Sequence, residues 1–221
     1  MKTITPTPTP TTFFLPADDL RAAFQCIGTE QTRKYLGGVF VEAGKLIALD
    51  GYQMLTIELP DGCHVGTECF TQGMDAPRMP GATGIRGAGF ILSCDATDKA
   101  FKAKAGGDLW VYGDIETGIL QFVINHGKGG EMSRVGVLEF SVIDGTYPEW
   151  RRMVAKGDGG TNSVCYDPAV LGKLIKAADV IEKGKGIRLT SGATPGDPIR
   201  VDFVASPRLR GTLYPMRWMG A

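Results

Sequence analysis

Three times along the chain the same order of apolar runs recurs: a short strand, a helical stretch, then three strand-forming runs. This repetition constrains the fold more than any single motif. A unit of about sixty residues is longer than the stacked units of solenoids and suits half of a domain. In the first copy Phe13-Phe14-Leu15 reads as the strand and residues 17–27 as the helix. Leu20, Phe24 and Ile27 recur there at helical spacing, with Asp18, Asp19 and Arg21 on the other side. Residues 35–42, 45–50 and 52–59 read as strands, split at Ala43-Gly44 and Asp50-Gly51. The second copy opens at Phe90-Ile91-Leu92-Ser93, predicts a helix near 95–104 and continues with strands at 108–112, 118–125 and 136–143. In the third, residues 163–166 read as the strand, with Asp167 as N-cap and Pro168 as first helical residue. Leu171, Leu174, Ile175 and Ala178 form the core face of that helix, and strands at 186–190, 198–205 and 211–216 close the unit.

The segments outside these units read differently. Residues 3–12 alternate threonine and proline, a composition that favours solvated extended backbone and predicts a disordered arm over 1–12. Residues 61–89 are rich in glycine and proline without periodicity and read as a long crossover loop between the first two units.

Charge and cysteine usage exclude several function classes. The 24 basic side chains balance the 24 acidic ones, so any contact with nucleic acid must be patterned rather than driven by bulk charge. No apolar run reaches the roughly 18 residues of a membrane span and no apolar leader precedes the first unit, so the reading is a cytoplasmic protein with no membrane partner. Cys26, Cys63, Cys69, Cys94 and Cys165 include no C-x-x-C pair, which argues against a disulfide framework and a structural zinc site. Cys63, His64 and Cys69 form the one cluster with ligand chemistry, without a fourth ligand at suitable spacing, so no metal or cofactor is expected. Nucleophile elbow, H-E-x-x-H and Walker signatures are absent. His126 sits in a glycine-rich stretch that lacks P-loop spacing, and no catalytic residue is assigned.

Three motifs carry a resemblance: Thr32-Arg33-Lys34-Tyr35-Leu36-Gly37-Gly38 with Ala48-Leu49-Asp50-Gly51-Tyr52-Gln53-Met54; Asp144-Gly145-Thr146-Tyr147-Pro148-Glu149-Trp150-Arg151-Arg152; and Tyr214-Pro215-Met216-Arg217. In this order and spacing they resemble the bacterial DNA polymerase III β subunit, the sliding clamp. The resemblance implies an α+β DNA-clamp fold built from three β-α-β-β-β half-domain units. Residues 13–154 resemble the clamp's middle domain, and residues 155–221 resemble the C-terminal half of its last domain. No segment resembles the family's first domain or the opening half of its last, which in the family supply the main subunit contact.

The resemblance also implies a peptide-binding site at the junction of the family's middle and last domains. The matching positions are Leu36, Leu49, Gly51, Tyr52, Gln53, Met54, Pro148, Arg152, Met153, Thr212, Leu213, Tyr214, Pro215, Met216, Arg217 and Trp218. Such a set, largely apolar with a few cations and amides, suits a groove for an extended peptide. Departures exist: Tyr52-Gln53 stands where the family usually has His-Arg, Tyr214 where it has methionine, and Trp218 where it has an aliphatic residue. Any one Leu or Met alone reads as core. Tyr214, Met216 and Trp218 beside Arg217, near a chain end that is ordinarily polar, read instead as a docked strand facing a groove.

DNA contacts implied by the resemblance fall on Arg33, Lys34, Tyr35, Lys102, Lys173 and Lys176. Lys99 with Lys102, and Lys173 with Lys176, have the i, i+3 spacing of one helix face. An aromatic beside two cations can stack while the cations meet phosphates. The function expected is a sliding-clamp-like replication accessory protein, not an enzyme. It would bind clamp-binding motif peptides of DNA polymerases or repair proteins and encircle double-stranded DNA as a homo-oligomer. One rival is a pocket protein that forms no ring and competes with a full clamp for its partners. Another is a small enzyme using the Cys63-His64 loop.

Overall fold

A computed structural model describes residues 12–42, 44–66, 89–102, 108–125, 132–157, 165–183 and 186–216. The first unit runs from β1 (Thr12–Pro16) directly into α1 (Ala17–Phe24), because Pro16 keeps extended dihedrals before the first helical turn. A 3-10 turn (Gln31–Leu36) then leads to β2 (Val39–Glu42), β3 (Lys45–Leu49) and β4 (Gln53–Glu58). The stretch expected to be all loop contributes a short β5 (His64–Gly66), which pairs with β1.

In the second unit β6 (Phe90–Cys94) is followed by a 3-10 turn (Lys99–Lys102), then β7 (Asp108–Asp114), β8 (Ile119–Asn125) and β9 (Met132–Ile143). The helix expected over 95–104 is therefore only one turn among the described residues, and 103–107 lie outside them. Its acidic side chains explain the difference. Asp95 Oδ1 accepts from the Thr97 N–H at 2.9 Å, a local turn that keeps these residues out of a helix, and Asp98 Oδ1 accepts from the Ala100 N–H at 2.7 Å, which starts the helical turn only at Lys99.

The third unit begins with α2 (Pro168–Ile181), whose expected cap is present: Asp167 Oδ1 accepts from the Ala169 N–H at 2.8 Å, with Pro168 in the first turn. β10 (Ile187–Thr190), β11 (Ile199–Phe203) and β12 (Leu209–Leu213) complete it. Of the strand expected at 163–166, Cys165 and Tyr166 are irregular, and 163–164 lie outside the described residues.

The strands pair in the order β10-β11-β12-β4-β3-β2-β6-β9-β8-β7-β1-β5. Units one and two exchange their first strands, since β1 pairs with β7 and β6 with β2. β9 serves two neighbours, its first residues pairing with β8 and its last four with β6. The Phe13 ring lies against Gly113, its cross-strand partner, where a Cβ would fall inside the ring. Only glycine leaves room for it to meet Phe90 and Phe140 at centroid distances of 5.3 and 5.6 Å. The third unit joins the first by pairing β12 with β4 and by packing α2 on α1.

Side chains alternate across this sheet. Leu46, Ala48, Leu55, Ile57, Val201 and Leu213 face the helices, where Leu20, Ala23 and Leu174 cover them. Ile47, Leu49, Met54 and Ile91 face the other way, beneath Leu36, Tyr147 and Trp150. β3 and β4 are thus buried on both faces, which is why β3, Leu46-Ile47-Ala48-Leu49 after Lys45, reads as a nearly unbroken apolar run. Two ion pairs fasten the third unit to the first. Arg208 grips the buried Asp19 carboxylate of α1 with two nitrogens, and Lys173 Nζ lies 2.7 Å from Asp50 Oδ2. Burial raises the Asp19 carboxyl above its ordinary value and the Arg208 guanidinium offsets part of that rise, so the carboxylate depends on its partner.

Candidate functional site

The β3–β4 turn is built around one carboxylate. Asp50 Oδ1 accepts from the N–H groups of Tyr52 and Gln53, both at 2.9 Å, while Oδ2 takes Gln53 Nε2 at 3.2 Å and Lys173 Nζ at 2.7 Å. Gly51 sits at φ +93, a left-handed conformation that favours glycine. The turn holds Tyr52 outward, 60% exposed. Its carbonyl accepts from the Tyr214 N–H at 3.0 Å, which carries the β4–β12 ladder past its end.

A second segment, 147–155, crosses the same end of the sheet. Tyr147 stacks on Phe40 at 4.8 Å and its hydroxyl, pushed up by burial, donates to the Ile47 carbonyl at 3.4 Å. Trp150 Nε1 donates to Glu42 at 3.4 Å, and Arg151 pairs with Glu42 at 2.8 Å while lying 4.5 Å from the Trp150 ring centre. Further on, the Ala155 N–H donates to Thr212 Oγ1 at 3.2 Å. The Tyr214 hydroxyl, held up to about 12 by burial, donates to the Met153 carbonyl at 3.0 Å. The third segment ends at Met216, whose N–H donates to the Cys165 carbonyl at 2.8 Å. Three stretches distant in sequence thus meet at one place.

The expected site residues divide by depth. Leu36, Leu49, Gln53, Met54, Thr212 and Leu213 are all buried: Leu36, Leu49, Met54 and Thr212 lie on the Tyr147–Trp150 side of the sheet as a floor, whereas Gln53 and Leu213, cross-strand partners, point to the helix side. Leu49 and Met54 are covered because the 3-10 turn Gln31–Leu36 and the 147–153 segment both lie over this part of the sheet, and Thr212 lies under Ala155. Gly51, Tyr52, Arg152 and Met216 are exposed, and Pro148, Met153, Tyr214 and Pro215 are half-buried, so these eight make the accessible surface. Arg217 and Trp218 lie outside the described residues. Sequence reasoning did not assign Tyr147 and Trp150 to the site, although their motif was in view, nor Lys173 as the ion that steadies the turn, a role no local signal announces.

Of the residues expected to meet DNA, Lys173 has its charge committed to Asp50. Arg33 reaches Glu30 at 3.9 Å and borders Gly51. Tyr35 packs into the apolar cluster with Leu36, Tyr147 and Trp150, so the 3-10 turn that carries Arg33, Lys34 and Tyr35 lies on the side of the sheet away from the helices, whereas Lys176 is on α2. Lys102 and Lys176 are exposed. Burial pushes the Cys63 thiol up to about 12, which keeps it protonated at neutral pH and disfavours it as a nucleophile. Cys69 and His126 lie outside the described residues. Among the described residues no helix is long and apolar enough to cross a membrane, and no three His, Cys, Asp or Glu side chains are grouped to hold a metal ion.

No family model matches the chain, and no curated protein matches it in sequence. Solved structures do. A DNA polymerase III β sliding clamp from Bartonella birtlesii bound to griselimycin has a TM-score of 0.52 at 16% identity, covering 96% of this chain and 68% of its own. A DNA polymerase sliding clamp from Pseudomonas aeruginosa with ligand has a TM-score of 0.54 at 12% identity, covering 98% and 69%. A second structure from that organism has a TM-score of 0.52 at 13% identity. The chain has the fold of the bacterial sliding clamps, as its three motifs led one to expect.

Proposed function

We propose that the chain is a sliding-clamp-like replication accessory protein whose groove, formed by Tyr52, Pro148, Arg152, Met153, Tyr214, Pro215 and Met216, holds short extended motifs of DNA polymerases or repair proteins. The observation that carries this reading is the meeting of the three segments, with Tyr52 and Met216 more than half exposed at the rim. Aromatic and methionine side chains standing out of a rigid sheet end suit an extended apolar ligand. On this reading residues 13–154 stand for the clamp's middle domain and 155–221 for its closing half-domain, and the protein acts as an adaptor. Burial of two or three peptide side chains at about 1.5–3 kcal/mol each, less several kcal/mol of association and ordering cost, gives an affinity of micromolar order or weaker.

Calorimetric titration with a peptide containing Gln-Leu and a Leu-Phe end tests the proposal. Binding should be seen for the wild type and lost in Met216→Glu, whose charge would face the peptide's apolar side chain. Absence of heat at millimolar peptide from the folded wild type would end this reading.

A second reading, a pocket that forms no ring, is favoured by the second unit, where a 3-10 turn stands in the place the family gives to a ring-lining helix. A ring of half-units on the family plan requires four copies of this chain. Light scattering separates the two, since a monomer at all concentrations leaves the pocket without the ring. Retention on nicked circular DNA at high salt, lost on linearisation, supports encirclement, because patch binding through Lys102 and Lys176 would release under salt from both forms.

A further inference from the structure

The sheet face that carries the groove continues onto the third unit, where the 155–157 strap lies over Thr212 and Arg200 and leaves Arg188 and Arg210 exposed. Cross-strand partners point to the same side, and one row runs Thr190, Arg200, Thr212, Met54, Leu49 across five strands. Met54 and Leu49 are the floor of the groove. Two strands away, about 10 Å along the row, the floor is replaced by Arg200. The neighbouring row places Arg188, Asp202 and Arg210 side by side. Two guanidinium groups therefore hold one carboxylate and Arg210 lies on the next strand beside it, all four lining a cleft of about 420 Å³. Arg200 and Arg188 reach Asp202 at 2.9 and 3.3 Å. Arg210 is exposed and has no ion-pair partner among the described residues. Arg200 also donates to the Lys156 carbonyl at 3.4 Å, so the strap that borders the groove touches the patch.

From this continuity we infer that the open face of β10, β11 and β12 is a docking surface for acidic side chains of the same peptide partner, flanking the apolar motif that sits in the groove. The inference rests on the groove reading above. Charge complementarity selects the occupant: the patch carries three cations against one anion, and Arg presents paired donors to a carboxylate. A nucleic-acid strand fits less well, because the outward positions of these strands, Arg188, Thr190, Arg200, Asp202, Arg210 and Thr212, include no aromatic on which a base could stack.

The test compares two peptides on the intact protein, the Gln-Leu…Leu-Phe motif alone and the same motif flanked by a run of Asp and Glu. The flank should tighten binding by about tenfold at low salt, and the gain should fall as salt rises. In an Arg188→Gln/Arg210→Gln variant the gain should vanish while the unflanked peptide binds as before. Arg210→Gln alone, which removes no ion pair, serves where the double variant loses its fold and should lower the gain. Equal binding of both peptides to the wild type overturns this inference and leaves the groove standing. Failure of both peptides removes the groove reading and this inference with it. Binding of an oligonucleotide that depends on Arg188 and Arg210 would assign the patch to nucleic acid and overturn the inference as well.

Discussion

Two halves of one sheet face are treated oppositely. Over β3, β4 and β6 the side away from the helices is apolar, with Ile47, Leu49, Met54 and Ile91 sealed under Leu36, Tyr147 and Trp150. Over β10, β11 and β12 the same side carries arginines, Asp202 and threonines; the 155–157 strap crosses Thr212 and Arg200, and Arg188 and Arg210 beyond it are exposed. The proposed groove lies on the border between them, where the covering strap runs from Met153 past Ala155 and is tied to Thr212 and Tyr214. On that proposal a binding edge arises where a covered surface stops, because there apolar side chains such as Tyr52 and Met216 have a rigid floor on one side and solvent on the other.

Substitutions can break this contrast, and the largest effect belongs to the cover. Trp150→Ala should destabilise by about 3–5 kcal/mol in urea unfolding, whereas Arg188→Ala on the bare half should stay within about 0.5 kcal/mol. Equal costs would mean that the two halves are not differently built. Next comes the joint between the units that own the halves. Arg208→Ala leaves the Asp19 carboxylate buried without its partner and should cost about 3 kcal/mol, with the variant losing less stability relative to wild type in acid, where Asp19 is protonated. The direction follows from the raised Asp19 value: the folded state holds that proton to higher pH than the unfolded chain does, so the penalty of the unpaired charge is absent below the ordinary carboxylate range and grows as pH rises through the folded value.

A smaller effect is expected at the border itself. Gly51→Ala forces a side chain into the left-handed region and should cost about 1–2 kcal/mol, and by shifting Tyr52 it should weaken peptide binding more than it weakens the fold. Smallest is the bare half's own pH response. Burial tends to raise the Asp202 carboxyl, but Arg200 and Arg188 bring it below its ordinary value, so its contribution is present above the unfolded value of about 3.9 and is lost as pH falls through the folded one. Wild type and Asp202→Asn should therefore differ by a constant amount from pH 5 to 8 and converge in acid. A difference that changes within that range would show that the arginines do not hold the carboxylate.

Much of the fold was legible in the chain, for identifiable reasons. Asp167-Pro168 announces the start of α2 through a capping oxygen and a residue without an N–H, and Asp50-Gly51 announces its turn through an acceptor and a left-handed glycine. The repeat order of the units follows from apolar periodicity alone. β5 escaped notice because three residues carry no period, and the helix near 95–104 was overcalled because Asp95 and Asp98 fit a helix surface as well as they fit local turns. At the site, pattern reading found the three segments but not their depth. Leu36, Leu49 and Met54 are chemically fit for a groove or a core, and only the strap over β3 and β4 decides between them. The Lys173 bond to Asp50 joins positions 123 residues apart and leaves no local trace.

The central claim is that the border between the covered and bare halves is a peptide groove with Met153 and Met216 at its surface and Met54 in its floor. Methionine methyl NMR of the intact protein, with assignments from single Met→Leu variants, reads all three positions in one titration with the Gln-Leu…Leu-Phe peptide. The account predicts shifts that saturate for Met216 and Met153, with Met54, 1% exposed, moving little. A titration in which none of the three responds at millimolar peptide, while the protein remains folded, would contradict it.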